Sequence, residues 1–123
     1  MVCDESQRIK NPKSLTTLSA LKLRQALTRC VVATGTPIAN RPLDVFSQYL
    51  VMDQGKTFGK KFGAFKATYC EMEQQQIRVG RRTVSIEKFV GARNVTQLHN
   101  YLKATSLRRL KVEVLDLPPV LYK

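Results

Sequence analysis

The sequence has few of the residues on which much site chemistry rests. It contains one histidine, His99. A zinc site or a Ser-His-Asp triad would have to be built on that residue alone. Its three cysteines, Cys3, Cys30 and Cys70, are odd in number, far apart and form no Cys-x-x-Cys pair. This is the usage of reduced, buried thiols in a cytosolic protein rather than of a disulfide framework. No apolar run approaches the roughly 20 residues that cross a bilayer. The start is acidic rather than basic and has no apolar core segment, so no signal peptide is expected. The expected location is cytoplasmic, in a prokaryote or a phage-infected host cell, with no membrane partner. Acidic residues are also scarce, 9 against 21 Lys and Arg, for a formal net charge of +12. A field of that sign attracts a polyanion, and nucleic acid is the expected partner. The plainer alternative is a basic surface that aids solubility or is neutralised by other parts of a larger protein.

What is present is enough for one small domain. The chain has 123 residues, 43% of them hydrophobic, so it can build a core. It opens with Met1-Val2-Cys3-Asp4-Glu5-Ser6-Gln7, two adjacent carboxylates after a short apolar lead. That is the exit of a buried parallel strand, where ligands collect. On an extended backbone successive side chains alternate, so Asp4 and Glu5 would point apart. One could hold a metal ion while the other reaches a water molecule.

Pro12 biases Asn11 away from helix, and Ser14 is a plausible N-cap. Leu15, Leu18, Leu21, Leu23, Ala26 and Leu27 then predict a helix with an apolar stripe, leaving Thr16, Thr17, Lys22 and Gln25 on its other side. Cys30-Val31-Val32-Ala33 reads as a strand buried on both faces, ended by Thr34-Gly35-Thr36-Pro37. Pro42 suits the first turn of a second helix, buried through Leu43, Phe46, Tyr49 and Leu50. Strand, helix, strand, helix is the pattern of a parallel α/β sheet, with both strand ends at one edge.

After Gly55 the pattern changes. Phe58, Phe62, Phe65 and Tyr69 recur at helical spacing with Lys60, Lys61 and Lys66 between them. The expected role is an aromatic core face; base stacking on the rings is the sharper alternative. Residues 77–86 alternate around Gly80-Arg81 and predict a β-hairpin with a very basic tip. Asn94 is placed to cap a helix carrying Val95, Leu98, Tyr101 and Leu102. A further short helix is expected from about Ser106 to before Pro118.

Four segments occur in a telling order: Asp4-Glu5-Ser6-Gln7, Arg8-Ile9-Lys10-Asn11, Thr34-Gly35-Thr36-Pro37-Ile38-Ala39-Asn40 and Leu107-Arg108-Arg109-Leu110-Lys111. Together they resemble the second half of the first motor lobe of SNF2-family DNA-dependent ATPases, particularly the short bacteriophage-type members. The resemblance covers nearly the whole chain. It implies an α/β fold: part of a RecA-like P-loop NTPase lobe, a parallel sheet with flanking helices, plus a helical and β-hairpin extension. Residues 1–55 would be the lobe part with the DExx and Thr-Gly-Thr-Pro motifs, and residues 56–123 the basic extension that closes the lobe.

By the same resemblance Asp4 is a Mg²⁺ ligand, Glu5 positions the attacking water, and Gln7 senses the γ-phosphate of ATP, although the family more often has histidine at that position. Thr34, Gly35 and Thr36 couple the nucleotide site to DNA. Arg8 and Lys10 are expected on a loop that could touch phosphates; separately from the resemblance, the net charge and the basic hairpin tip point to Arg78, Arg81 and Arg82 as nucleic-acid contacts. Arg108, Arg109 and Lys111 close the lobe. The cofactors of the intact motor are Mg²⁺ and ATP. Its partners are DNA, a preceding phosphate-binding part (Walker A) and a second RecA-like lobe.

That phosphate-binding loop, Gly-x-x-x-x-Gly-Lys-Ser/Thr, does not occur in the sequence. Gly55-Lys56-Thr57 looks like its tail, but the earlier glycine it needs is Leu50, inside the second helix. It reads as a decoy. The expectation is therefore a piece of an SNF2-type ATP-dependent helicase or translocase, inactive alone. The alternative is a stand-alone basic DNA-binding module descended from such a motor.

Overall fold

A computed structural model describes residues 1–36, 38 and 41–109. The chain order is β1 (Val2–Cys3), a short 3-10 helix (Ser6–Ile9), α1 (Leu15–Gln25), β2 (Val31–Val32), α2 (Leu43–Asp53), α3 (Phe62–Tyr69), β3 (Cys70–Val79), β4 (Arg82–Ala92) and α4 (Val95–Thr105). β1 and β2 pair in parallel, Val2 opposite Val31 and Cys3 opposite Val32. β3 and β4 form a long antiparallel hairpin. The chain is therefore α/β, as expected, with one parallel and one antiparallel pair among the described residues.

The parallel pair is not the buried centre that Cys30-Val31-Val32-Ala33 predicts. Val2 is 73% exposed and Val31 58%. Two rungs offer too little area to be covered on both faces, and such a small sheet needs further strands to be stable. The core lies instead on α2 and the elements that follow it. Phe46, Phe65, Tyr69, Cys70 and Leu98 are buried together, bringing α2, α3, the root of the hairpin and α4 onto one centre. Phe58 joins them through edge-on ring contacts, 5.2 Å from Phe65 and 4.8 Å from Tyr49 between centroids. Phe58, Phe62, Phe65 and Tyr69 are thus core, and their rings are not a free stacking platform.

α1 starts where Ser14 predicts: its hydroxyl accepts the Thr17 N–H at 3.2 Å. The buried face of α1 is the polar one, contrary to the pattern. Thr17 and Arg24 are buried while Leu15 is 82% exposed. Both polar groups are satisfied by carbonyls: Thr17 donates to Ile9 O at 3.2 Å, and Arg24 to Met52 O at 3.2 Å and to Leu27 O. A helix can bury such a face when every donor finds a carbonyl. The leucine stripe faces out, beside an open groove between β1 and α1.

The predicted hairpin is real and longer than its alternating core. Gly80 takes a left-handed backbone (φ 62°) at the first turn position, which a hairpin of two turn residues favours. β3 has ten residues and β4 eleven, with a bulge between Glu71 and Met72. Asn94 precedes α4 as expected but does not cap it. Its own backbone is left-handed, and its side chain donates to Thr68 O at 2.8 Å, tying α4 to the end of α3. Residues 106–109 are not helical, and the rest of the helix expected from Ser106 lies outside the described residues.

Candidate functional site

The acidic motif sits on a turn rather than an extended strand. Glu5 has a left-handed backbone (φ 53°, ψ 46°), and its N–H bonds to Asp4 Oδ1 at 2.8 Å. The alternation expected of Asp4 and Glu5 is therefore replaced by a sharp corner. A left-handed non-glycine residue is a strained conformation of the kind that clusters at working sites. Both carboxylates are exposed.

Several bonds hold this corner. Ser6 N–H donates to Ala33 O at 3.0 Å. Ser6 is 1% exposed, and its hydroxyl donates to Gln48 Oε1 of α2 at 2.6 Å. Ser47 donates to Lys10 O at 3.0 Å. The 3-10 helix and its flank are thus clamped by the segment just after β2, by α1 and by α2. Ser6, Thr17, Ser47 and Gln48 escaped the sequence reading. Only Ser6 lies in a motif, and nothing in the pattern marks the other three.

Two motifs 27 residues apart meet here. The Thr34 hydroxyl donates to Gln7 Oε1 at 2.6 Å. Gln7 Nε2 in turn donates to Glu5 Oε2. Thr36 N–H donates to Thr34 Oγ1 at 3.1 Å. The result is a continuous chain from the backbone of Thr36, through Thr34 and Gln7, to the Glu5 carboxylate. Because the Thr34 oxygen already accepts from Thr36, its own proton is free to point at Gln7. That fixes the Gln7 amide with its NH₂ toward Glu5.

The carboxylates suit an oxygen-loving cation in part. Among the described residues one oxygen of Asp4 has no protein partner, since Oδ1 is taken by the Glu5 amide. Among the described residues no group of three or more His, Cys, Asp or Glu comes together as a closed cage. One exposed carboxylate oxygen suits Mg²⁺, which keeps waters and shares itself with phosphate oxygens. A groove of about 500 Å³ opens beside the pair, lined by Cys3, Asp4, Glu5, Arg8, Ser19 and Leu23.

Gly55-Lys56-Thr57 cannot serve as a phosphate cradle in this conformation. The N–H groups of all three donate to the Asp53 carboxylate, at 2.9, 3.1 and 3.0 Å. Gly55 (φ 83°) has no room for a side chain: a Cβ there would lie 2.8 Å from Gly59 O.

The remaining candidates are dispersed. Arg8 lies in the 3-10 helix and Lys10 ends it, rather than both lying on a loop. Both are exposed. Lys10 lines a second cavity of about 250 Å³ with Arg41 and Asp44. Arg78, Arg81 and Arg82 are exposed at the hairpin tip. Arg108 and Arg109 are exposed without regular structure, and Lys111 lies outside the described residues.

Of the titratable groups, burial pushes the Cys30 thiol up, and the nearby Cys3 adds to the effect. Burial likewise raises Cys70, Tyr49 and Tyr69.

Comparison with known proteins gives consistent matches. The family model described as "SNF2-related domain" matches residues 1–122. The chain is 33% identical to the DNA annealing helicase and endonuclease ZRANB3 of Bos taurus, over 97% of this chain and 11% of that protein. It is 34% identical to the SWI/SNF-related matrix-associated actin-dependent regulator of chromatin subfamily A-like protein 1 of Drosophila melanogaster, over 94% of this chain and 14% of that protein. It is 32% identical to the TATA-binding protein-associated factor mot1 of Aspergillus fumigatus, over 96% of this chain and 6% of that protein. The chain thus spans a small part of the length of these relatives. No solved structure matches it.

Proposed function

The chain belongs to the SNF2-related domain family, and on that premise we propose that it is the part of an SNF2-type, ATP-dependent DNA motor that carries the magnesium- and water-positioning carboxylates. Its parallel pair and flanking helices are then part of a RecA-like lobe. Residues 1–55 hold both motifs and residues 56–123 close the lobe. The observation that carries the reading is the hydrogen-bonded path from Thr34 through Gln7 to Glu5.

When bound, Mg²⁺-ATP supplies the charge neutralisation and the bond to be cleaved. Asp4 offers the ion its open oxygen. Glu5, fixed by Gln7, orients a water molecule and accepts its proton on the carboxylate oxygen that Gln7 leaves free. Movement of the segment 34–36, in the motif that couples to DNA, changes the hold of Thr34 on Gln7 and so the aim of Glu5. DNA as the partner is supported by the net charge of +12 and by the DNA-directed names of relatives.

The phosphates must be cradled by groups other than Gly55-Lys56-Thr57, so the chain alone is proposed to be inactive. An ATPase assay of the chain with DNA should show no turnover above that of the Glu5→Gln variant. Turnover that depends on Glu5 would overturn the inactive-alone proposal.

A second reading, a DNA-binding module without motor activity, is favoured by the basic hairpin alone. It predicts duplex binding that is steeply salt-dependent and indifferent to Glu5→Gln.

A further inference from the structure

Cys3 and Cys30 take no part in the hydrogen-bonded path to Glu5, yet the pairing of the first two strands brings them to one face. Cys3 is opposite Val32. The ladder runs on past its two rungs: Met1 N donates to Arg29 O at 2.8 Å, and Val31 N to Met1 O at 2.9 Å. Those two bonds flank Cys30, so it stands opposite Met1 and two residues before Val32. Alternate residues of a strand share a face. Cys3 and Cys30 are therefore diagonal neighbours on the same side of the pair, although they are far apart in the chain.

Their thiols meet there. Burial raises Cys30, and Cys3 raises it further, by its charge and by a hydrogen bond between the two side chains. The Arg24 guanidinium pulls the other way. Both thiols are free and half-buried, whereas Cys70 is buried in the core. Cys3 also lines the groove of about 500 Å³ beside Asp4, which gives a small reagent a route to its sulfur.

We propose that Cys3 and Cys30 form a thiol–disulfide exchange site, which a low-molecular-weight disulfide such as oxidised glutathione closes into an intrachain bond. The thiolate of Cys3, which faces the groove, attacks one sulfur of the reagent. The reagent's S–S bond breaks, one reduced thiol leaves with the proton that Cys3 gave up, and a mixed disulfide stays on Cys3. Cys30 then gives up its proton and attacks the Cys3 sulfur, releasing the second reduced thiol. In all, the two cysteines lose two electrons and two protons, and the reagent takes up both.

Closure has a structural consequence. A diagonal pair is wider than a directly opposed one and lies near the limit that a disulfide spans. The new bond therefore draws the start of β2 towards β1. Asp4 follows Cys3 directly, and Ala33 O holds the Ser6 N–H at 3.0 Å. A shift between the strands thus reaches the acidic turn from both sides.

The test is titration of the full, reduced chain with oxidised glutathione, quenched by alkylation and read by intact mass and peptide mapping. The expected product has lost two hydrogens, carries one Cys3–Cys30 link and leaves Cys70 a thiol; dithiothreitol restores the starting mass. Cys30→Ser removes the second thiol, with circular dichroism checking the fold. This variant should hold roughly 10-fold more glutathione on Cys3 than the wild type does. In ¹⁵N spectra of the wild type, a readout that needs no variant, the amides of residues 4–7 should shift on oxidation more than those of α3. A wild type that keeps glutathione on Cys3 without closing would overturn the inference. So would a link through Cys70, no reaction in the folded chain, or closure that leaves the amides of residues 4–7 unmoved.

Discussion

The Thr34 hydroxyl donates to Gln7 Oε1 at 2.6 Å, joining the segment after β2 to the acidic turn after β1. Gln7 passes the contact on to Glu5. The two short strands lie side by side in parallel, so their exits reach the same edge. The contact is what makes one unit of two motifs distant in the chain.

Thr34→Val keeps the shape of the side chain and removes both of its hydrogen bonds. The expected loss of stability is about 1 kcal/mol, as for one or two partly exposed bonds. The Gln7 side-chain NH₂ resonances should move toward those of a free glutamine. Urea unfolding and a ¹⁵N correlation spectrum check the two effects separately.

Ser6→Ala removes the buried hydrogen bond from the Ser6 hydroxyl to Gln48 Oε1. The expected cost is about 1–3 kcal/mol. Adding Gln48→Ala should cost less than the sum of the single changes, because the two act as a pair. Thermal melts of the four proteins give the coupling directly.

Phe65→Ala removes a ring that is 2% exposed at the centre of the core. A loss of about 3–5 kcal/mol is expected, enough to unfold a marginal domain. Loss of the folded spectrum would mark the ring as core. A folded protein that only binds DNA less well would reinstate the stacking reading.

Arg78, Arg81 and Arg82 changed to Ala should flatten the salt dependence of DNA binding. The slope of log K against log salt falls by roughly 0.9 per lost phosphate contact, up to about 2.7 for all three. A titration at four salt concentrations measures it.

Stability should fall in alkali through the thiols and phenols. Cys30 and Cys70 are raised from an ordinary value of 9.0, and Tyr49 and Tyr69 from 10.0. Between the unfolded and folded values the unfolded chain holds fewer protons, so unfolding is favoured as pH rises. The contribution is complete below pH 9 and is lost as pH rises through the raised folded values. Denaturant midpoints from pH 7 to 11 should be level and then decline.

Parts of this were readable because a local rule governs them. Ser14 caps α1 by its own side chain, Gly80 supplies the turn, and Phe62, Phe65 and Tyr69 repeat at the helical period of α3, while Phe58 reaches the same core from the turn before it. The decoy at Gly55 was betrayed by Leu50, and the Asp53 carboxylate explains it physically. What misled was the assumption that apolar residues face in. In α1, Thr17 and Arg24 go inside because carbonyls of the 3-10 helix and α2 await them, and no periodicity encodes a partner 28 residues away. The length of the hairpin was hidden because residues 73–76 lack alternation, both faces there being exposed. At Glu5 a left-handed corner, its N–H held by Asp4 Oδ1, stands where the apolar lead predicts extended backbone.

The most direct measurement is to add Mn²⁺ with ATP to the ¹⁵N-labelled chain and record paramagnetic broadening. If Asp4 holds the metal as proposed, the amides of residues 3–7 and 34–36 broaden first, and Asp4→Asn abolishes the effect. Broadening centred on other residues, or unchanged in Asp4→Asn, would contradict the assignment of the carboxylates and with it the motor reading of this chain.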